Sequence, residues 1–272
     1  METTDISFYS MAVGLLLMLV PFYYLWKLKT GLVQATVLAT LRMCVQLFLI
    51  GIYLRYLFVW DNAWLNSFWV ILMVFVASHT AVSRTGLRRR MLFVPILIGF
   101  LVTAFLVGFY FLGLVLGLEN IFSARYFVPI MGILLGNMLS VNVVALSTYY
   151  NELQREQQMY YYLLGNGATR FEATMPFLRS AVVKAFSPCI ANMAVLGIVS
   201  LPGTMIGQIL GGSAPDTAIK YQLMIVVITV VASMLSLMIT VNLSGRKAFD
   251  EYGRLKHVFR HQKSRYNSLE LF

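Results

Sequence analysis

Long apolar runs alternate along this chain with short stretches in which Lys, Arg, Asn and Gln collect. A helix rises about 1.5 Å per residue and the hydrocarbon core of a bilayer is about 30 Å thick, so a helical span needs about 20 predominantly apolar residues. Seven stretches meet that requirement: 6–26, 36–59, 64–82, 91–118, 126–150, 185–210 and 218–243. The pattern predicts an all-α integral membrane protein of about seven transmembrane helices over residues 1–243, followed by a basic tail, 244–272. Met1–Asp5 carries two acids and no basic residue, so no cleavable signal is expected.

Composition agrees: 59% of residues are hydrophobic, 12% are charged, and the mean hydropathy is +0.76, values a soluble globule does not accommodate. The net charge of +10 invites a nucleic-acid reading. The placement of the charges decides against it. One set of alternate loops, with the tail, holds 17 of the 21 bases, including Lys27, Lys29, Arg84, Arg88, Arg89, Arg90, Arg155, Arg170, Arg179 and Lys184. The other side holds Arg125, Lys220 and Arg55, and Arg42 lies within a span. Basic flanks are retained in the cytoplasm, so the N-terminus is expected outside, the C-terminus cytoplasmic, and the chain multi-pass in the plasma (inner) membrane. The bases are topology signals beside lipid, and no nucleic-acid partner is expected. The tail reads as a segment lying on the membrane surface. Cys44 and Cys189 have no paired spacing and read as small core residues.

The stretch 151–188 is the polar interruption between the fifth and sixth spans. Its first part extends the fifth helix, with Glu152 and Glu156 on one face. Gly165 and Gly167 break that helix, and Ala168-Thr169-Arg170-Phe171-Glu172 starts another. Thr169 at the cap and Glu172 three residues on make a capping box, and Pro176 is expected to end or bend the new helix.

The run Leu164-Gly-Asn-Gly-Ala-Thr-Arg-Phe-Glu-Ala173, with Pro176 and Arg179, resembles the coupling loop of ABC transporter permeases. The run from Gly197 to Gly212, with Ser-Leu-Pro-Gly-Thr-Met-Ile-Gly-Gln at its centre, resembles the FetB-type iron-export permease family, which includes plant relatives linked to aluminium tolerance. Arg42, Gln46, Gly51, Gly136 and Asn137 fit the same pattern. Asn166 and Thr204 depart from it, standing where an apolar residue and a methionine are usual. The resemblance implies a permease domain over 1–243 with a coupling loop, 151–184, in which Gly165, Gly167, Ala168, Thr169, Glu172, Pro176 and Arg179 engage a cytoplasmic ATP-binding subunit. No Gly-x-x-x-x-Gly-Lys-[Ser/Thr] run occurs in this sequence, so a phosphate-cradling loop is absent. The chain is therefore expected not to be an enzyme and to bind no cofactor itself. ATP and Mg²⁺ belong on the partner subunit, and a second copy of the chain is the expected neighbour in the membrane.

Polar residues within spans are costly and single out candidate pathway positions: Arg42, Gln46, Asn137, Asn142, Asn192, Ser200, Pro202, Gly203 and Gln208. Each has an ordinary reading as well, since Arg42 can snorkel and an Asn can bond between helices. The Leu201-Pro202-Gly203 break is the most informative, because irregular backbone at membrane depth persists only where protein or a water-filled cavity covers it. No His, Cys or carboxylate grouping selects a metal, so a metal-ion cargo, and iron in particular, rests on the resemblance alone, as does export. The leading expectation is the permease subunit of an ATP-driven exporter. A stand-alone secondary transporter or channel is disfavoured because no acid lies at a span centre, and a non-transporting scaffold that docks an ATPase is the third class.

Overall fold

The computed structural model describes residues 7–250, 253–256, 258 and 259. Ten α-helices follow one another in these residues: α1 (Phe8–Leu16), α2 (Leu19–Lys27), α3 (Val33–Trp60), α4 (Ala63–Thr85), α5 (Arg89–Phe109), α6 (Ala124–Arg155), α7 (Gln157–Gly165), α8 (Arg170–Val195), α9 (Gly203–Leu210) and α10 (Pro215–Ala248). A π-helical turn, Tyr110–Val115, prolongs α5. No β-strand is present among the described residues, only isolated bridges.

Six segments are long and apolar enough to cross a bilayer: Tyr9–Lys27, which joins α1 and α2, then Val33–Trp60, Ala63–Thr85, Arg89–Val115, Ala124–Arg155 and Pro215–Ala248. The seventh expected span, 185–210, is not one helix. α8 stops at Val195, Leu196 is extended, Gly197 turns into the left-handed region at φ +84°, and its amide bonds Ser200 O at 3.0 Å. Helix resumes only at Gly203, after an extended Pro202. Proline has no N–H to donate and pushes the residue before it out of the α region, which is why the interruption lies on its N-terminal side. Pro176 does not end the helix, because α8 passes through both Pro176 and Pro188. Each proline forfeits one backbone bond, which weakens the helix locally without obliging it to stop.

α6 is the axis of the bundle, with α4, α5, α8 and α10 arranged around it, and α10 also lies along α5. The α10 face turned inward is a row of small hydroxyl residues, Thr229, Ser233, Ser236, Thr240 and Ser244, all buried. Their spacing of three and four puts them on one side of the helix. Asn142 of α6 donates to Ser236 Oγ at 2.9 Å and Tyr150 donates to Ser244 Oγ at 2.8 Å. Gly99 of α5 meets the row so closely that a Cβ there would stand 2.5 Å from Thr240 Oγ1 and 3.1 Å from Ser236 O. α1, α2 and most of α3 stand at the margin, and α3 buries only Leu57.

The two ends of the bundle are tied differently. At one end Asp61 closes α3 in the left-handed conformation (φ 32°) and accepts from the Ala124 amide at 2.6 Å and from Asn66 Nδ2 at 3.2 Å. Asn66 Nδ2 also donates to Phe122 O at 2.7 Å, so one carboxylate and one amide hold α3, α4 and α6 together. At the other end the loops predicted to share the basic side do meet. Arg88 N bonds Val258 O at 2.8 Å, Tyr160 donates its hydroxyl to Gly253 O at 2.8 Å, and the Arg170 guanidinium lies 5.2 Å from the centre of the Phe249 ring. Of the tail, Phe249, Asp250, Gly253–Lys256, Val258 and Phe259 lie against this end. Residues 260–272, the last part of the tail expected to lie on the membrane surface, fall outside the described residues, as do residues 1–6.

Two measurements check this architecture. Gly99→Val should force α5 from α10 and destabilise the protein by about 1–3 kcal/mol, the usual cost of overpacking. Gly51→Ala, where no atom stands within 4 Å, should be neutral in the same thermal-unfolding assay. Asp61→Ala removes the α6 cap and should lower stability by about 0.5–2 kcal/mol.

Candidate coupling surface and membrane cavity

The elbow between α7 and α8 is built by local rules. α7 ends at Gly165, and Gly167 takes φ +89°, a conformation that L side chains rarely adopt. Ala168 N reaches back to Leu163 O at 3.1 Å, which closes the turn. Thr169 then caps α8. Its hydroxyl accepts from Glu172 N at 3.3 Å, and Glu172 Oε2 accepts from Thr169 N and Thr169 Oγ1, both at 2.7 Å. These bonds hold the Glu172 carboxyl below its ordinary range, the hydroxyl bond contributing most. The carboxylate is therefore charged at neutral pH, where it also faces the positive end of the α8 dipole.

α8 divides its faces by period. Ala173, Phe177, Ala181 and Ala185, four apart, are buried, and Ser180 Oγ donates to Glu152 Oε1 of α6 at 2.8 Å. Phe171, Glu172, Met175, Pro176 and Arg179 line a groove of about 340 Å³ on the other side, with Phe171 66% exposed. All of the residues implied for coupling thus lie on the elbow or on the first turns of α8, beside the chain that follows α10. A helix of 26 residues extends about 39 Å, so α8 connects this groove to the break at 196–202.

The candidate pathway residues do not converge on one site. Gln208 lines a cavity of about 550 Å³ between the starts of α6 and α10 and helix α9, together with Arg125, Thr204, Ser213, Thr217 and Tyr221. Thr204 bonds Gln222 of α10, which seats α9 along the first turns of that helix. Ser200, Pro202 and Gly203 form the break that frees α9 to lie there. Gln46 instead lines a separate, mostly apolar cavity of about 740 Å³ between α3, α4 and α6. Arg42 and Asn192 are exposed at the surface of the chain. Asn137 donates to Ile133 O one turn back, and Asn142 is the interhelical bond to Ser236 already described. Among the described residues no group of three or more His, Cys, Asp or Glu could hold a metal ion.

From the sequence Arg125 reads as a topology signal and Thr204 as a departure from the family pattern; Ser213 is not singled out, and neither is Thr217, which precedes the family-like run 218–222 that holds Tyr221. A signal for the last two was present, since Thr217 and Tyr221 are four apart on one face of an apolar helix. Arg125 had none, because only the tertiary fold sets it opposite α9.

Comparison with known proteins agrees with the helical, multi-span architecture. The model of the uncharacterised protein family UPF0014 matches residues 8–249. The UPF0014 membrane protein YjkA of Bacillus subtilis (strain 168) is 29% identical over 255 residues, covering 92% of this chain and 98% of that one. The probable iron export permease protein FetB of Escherichia coli (strain K12) is 30% identical over 262 residues, 94% of this chain and 97% of FetB. Protein ALUMINUM SENSITIVE 3 of Arabidopsis thaliana is 32% identical over 228 residues, 80% of this chain and 79% of that protein. No solved structure gives a significant match. With the family model matching residues 8–249, nearly the whole length, the chain belongs to the UPF0014 family of membrane proteins.

Proposed function

We propose that this chain is the membrane permease subunit of an ATP-driven exporter whose cargo is a metal ion, iron foremost. The observation that carries the reading is the capped start of α8, a preformed helix end with an exposed groove, standing at the basic end of a bundle whose other end holds a polar cavity. A separate ATP-binding subunit, with ATP and Mg²⁺, seats on that groove around Phe171, Glu172 and Arg179. Because α8 is continuous from the groove to the break at 196–202, displacement of its start is passed along a stiff rod to α9. A second copy of the chain completes the pathway and covers the margin left by α1–α3. The relationship to FetB, whose name specifies iron export, supplies the cargo and the direction.

Cells lacking the chain and loaded with iron should accumulate iron selectively, and restoring the chain should reverse this, as read by elemental mass spectrometry. Unchanged content of every metal would remove iron from the reading. Glu172→Ala and Gly167→Pro, the second incompatible with φ +89°, should each cut transport by about tenfold while the subunit still hydrolyses ATP, in the range of coupling between distant sites. Transport and hydrolysis both at wild-type rates would exclude the elbow as the coupling element.

A further inference from the structure

The cavity between α6, α9 and α10 has a chemistry that does not suit a bare cation. Among the described residues that line it there is no carboxylate, imidazole or thiol. Its charge is that of Arg125, which has no ion-pair partner among the described residues. Asp61, which reaches the residue beside it, is committed to Ala124 N, Ser123 Oγ and Asn66. Asp216 and Glu119, the other acids at this end, are not among the lining residues. The lining also includes the hydroxyl residues Ser213, Thr217 and Tyr221, and Thr204, whose own hydroxyl is donated to Gln222. The oxygen Oε1 of Gln208 is buried and accepts no hydrogen bond.

These groups ask for two things of an occupant. A guanidinium presents a planar fork of donors matched to a carboxylate or phosphate. A buried amide oxygen without a donor asks for an N–H or O–H, because leaving such a group unpaired is costly. A hard divalent cation needs oxygen ligands with negative charge, which this cavity lacks, and Arg125 repels it.

We propose that this cavity binds a small hydroxycarboxylate, free or as the chelate of a metal, with a carboxylate on Arg125; in the free acid the hydroxyl donates to Gln208 Oε1, and in the chelate, where that oxygen holds the metal, a metal-bound water donates in its place. This rests on the permease reading and refines its cargo: the metal is presented there within an anionic complex. The volume of about 550 Å³ accommodates such a molecule.

The test uses the full chain in phosphatidylcholine nanodiscs, titrated calorimetrically with citrate, ferric citrate, ferrous iron alone, and tricarballylate, which is citrate without its hydroxyl. Citrate or ferric citrate should bind and ferrous iron alone should not, and which of the two binds more tightly identifies the free acid or the chelate as the occupant. Arg125→Gln should weaken binding roughly tenfold or more and Arg125→Lys by less, since the charge is kept and the fork lost. Tricarballylate should bind more weakly than citrate to the wild type and equally to Gln208→Leu, a comparison that isolates the hydroxyl contact from any general loss of folding. Binding of ferrous iron alone with an affinity unchanged in Arg125→Gln would overturn the proposal, as would no binding of citrate in either form. The two readings fail separately. ATP-driven iron export from citrate-free vesicles, unaffected by Arg125→Gln, sinks this site and leaves the permease standing. Citrate binding with no effect of the chain on cellular iron sinks the iron cargo and keeps the site.

Discussion

Helices surrounded by lipid gain little by hiding apolar side chains from one another, so their association depends on close packing and on hydrogen bonds between them. In this protein that constraint is met along one seam, where Gly99 of α5 lets the hydroxyl row of α10 approach and Asn142 of α6 reaches across to Ser236. The central bundle of α4, α5, α6 and α10 follows from it. α8 lies against α6 with Ala173, Phe177, Ala181 and Ala185 buried at four-residue intervals and one polar contact, Ser180 to Glu152. α1 to α3 lack such a seam and sit at the margin, held chiefly through the foot of α3 and the Asp61 clasp.

The same seam separates two kinds of polar residue that a sequence presents alike. Asn142 and Gln208 both interrupt apolar runs. The first is spent on helix association, whereas the second faces a cavity because Pro202 and Gly203 break the chain and let α9 lie along α10 as a separate piece. Cavity chemistry thus arises where the backbone rule of the membrane is locally suspended and neighbouring helices cover the irregular segment.

What could be read from the residues in order was local. The cap at Thr169 and Glu172 is a three-residue pattern, the turn at Gly167 follows from its freedom at positive φ, and the spans follow from length and apolarity. α8 persists through Pro176 because a proline removes one backbone bond without obliging the helix to stop, so the residue type alone does not fix a terminus. Arg125 could not be placed from its own surroundings, since the residues it joins come from α9 and α10, some eighty positions further along the chain. The Arg42 and Gln46 pair shares a helix face by spacing and both are exposed, yet only Gln46 borders the apolar hollow.

The segment after α10 gives the order of synthesis a structural meaning. Gly253 supplies the carbonyl that holds Tyr160, Phe249 supplies the ring beneath Arg170, and Val258 with Phe259 fastens the α4–α5 turn. The rim of the face we assign to the ATPase is therefore finished by residues that leave the ribosome after α10. A nascent chain carries the elbow long before it carries the support beneath it. Vectorial translation then sets a sequence of assembly in which the bundle is inserted before the rim of that face is complete.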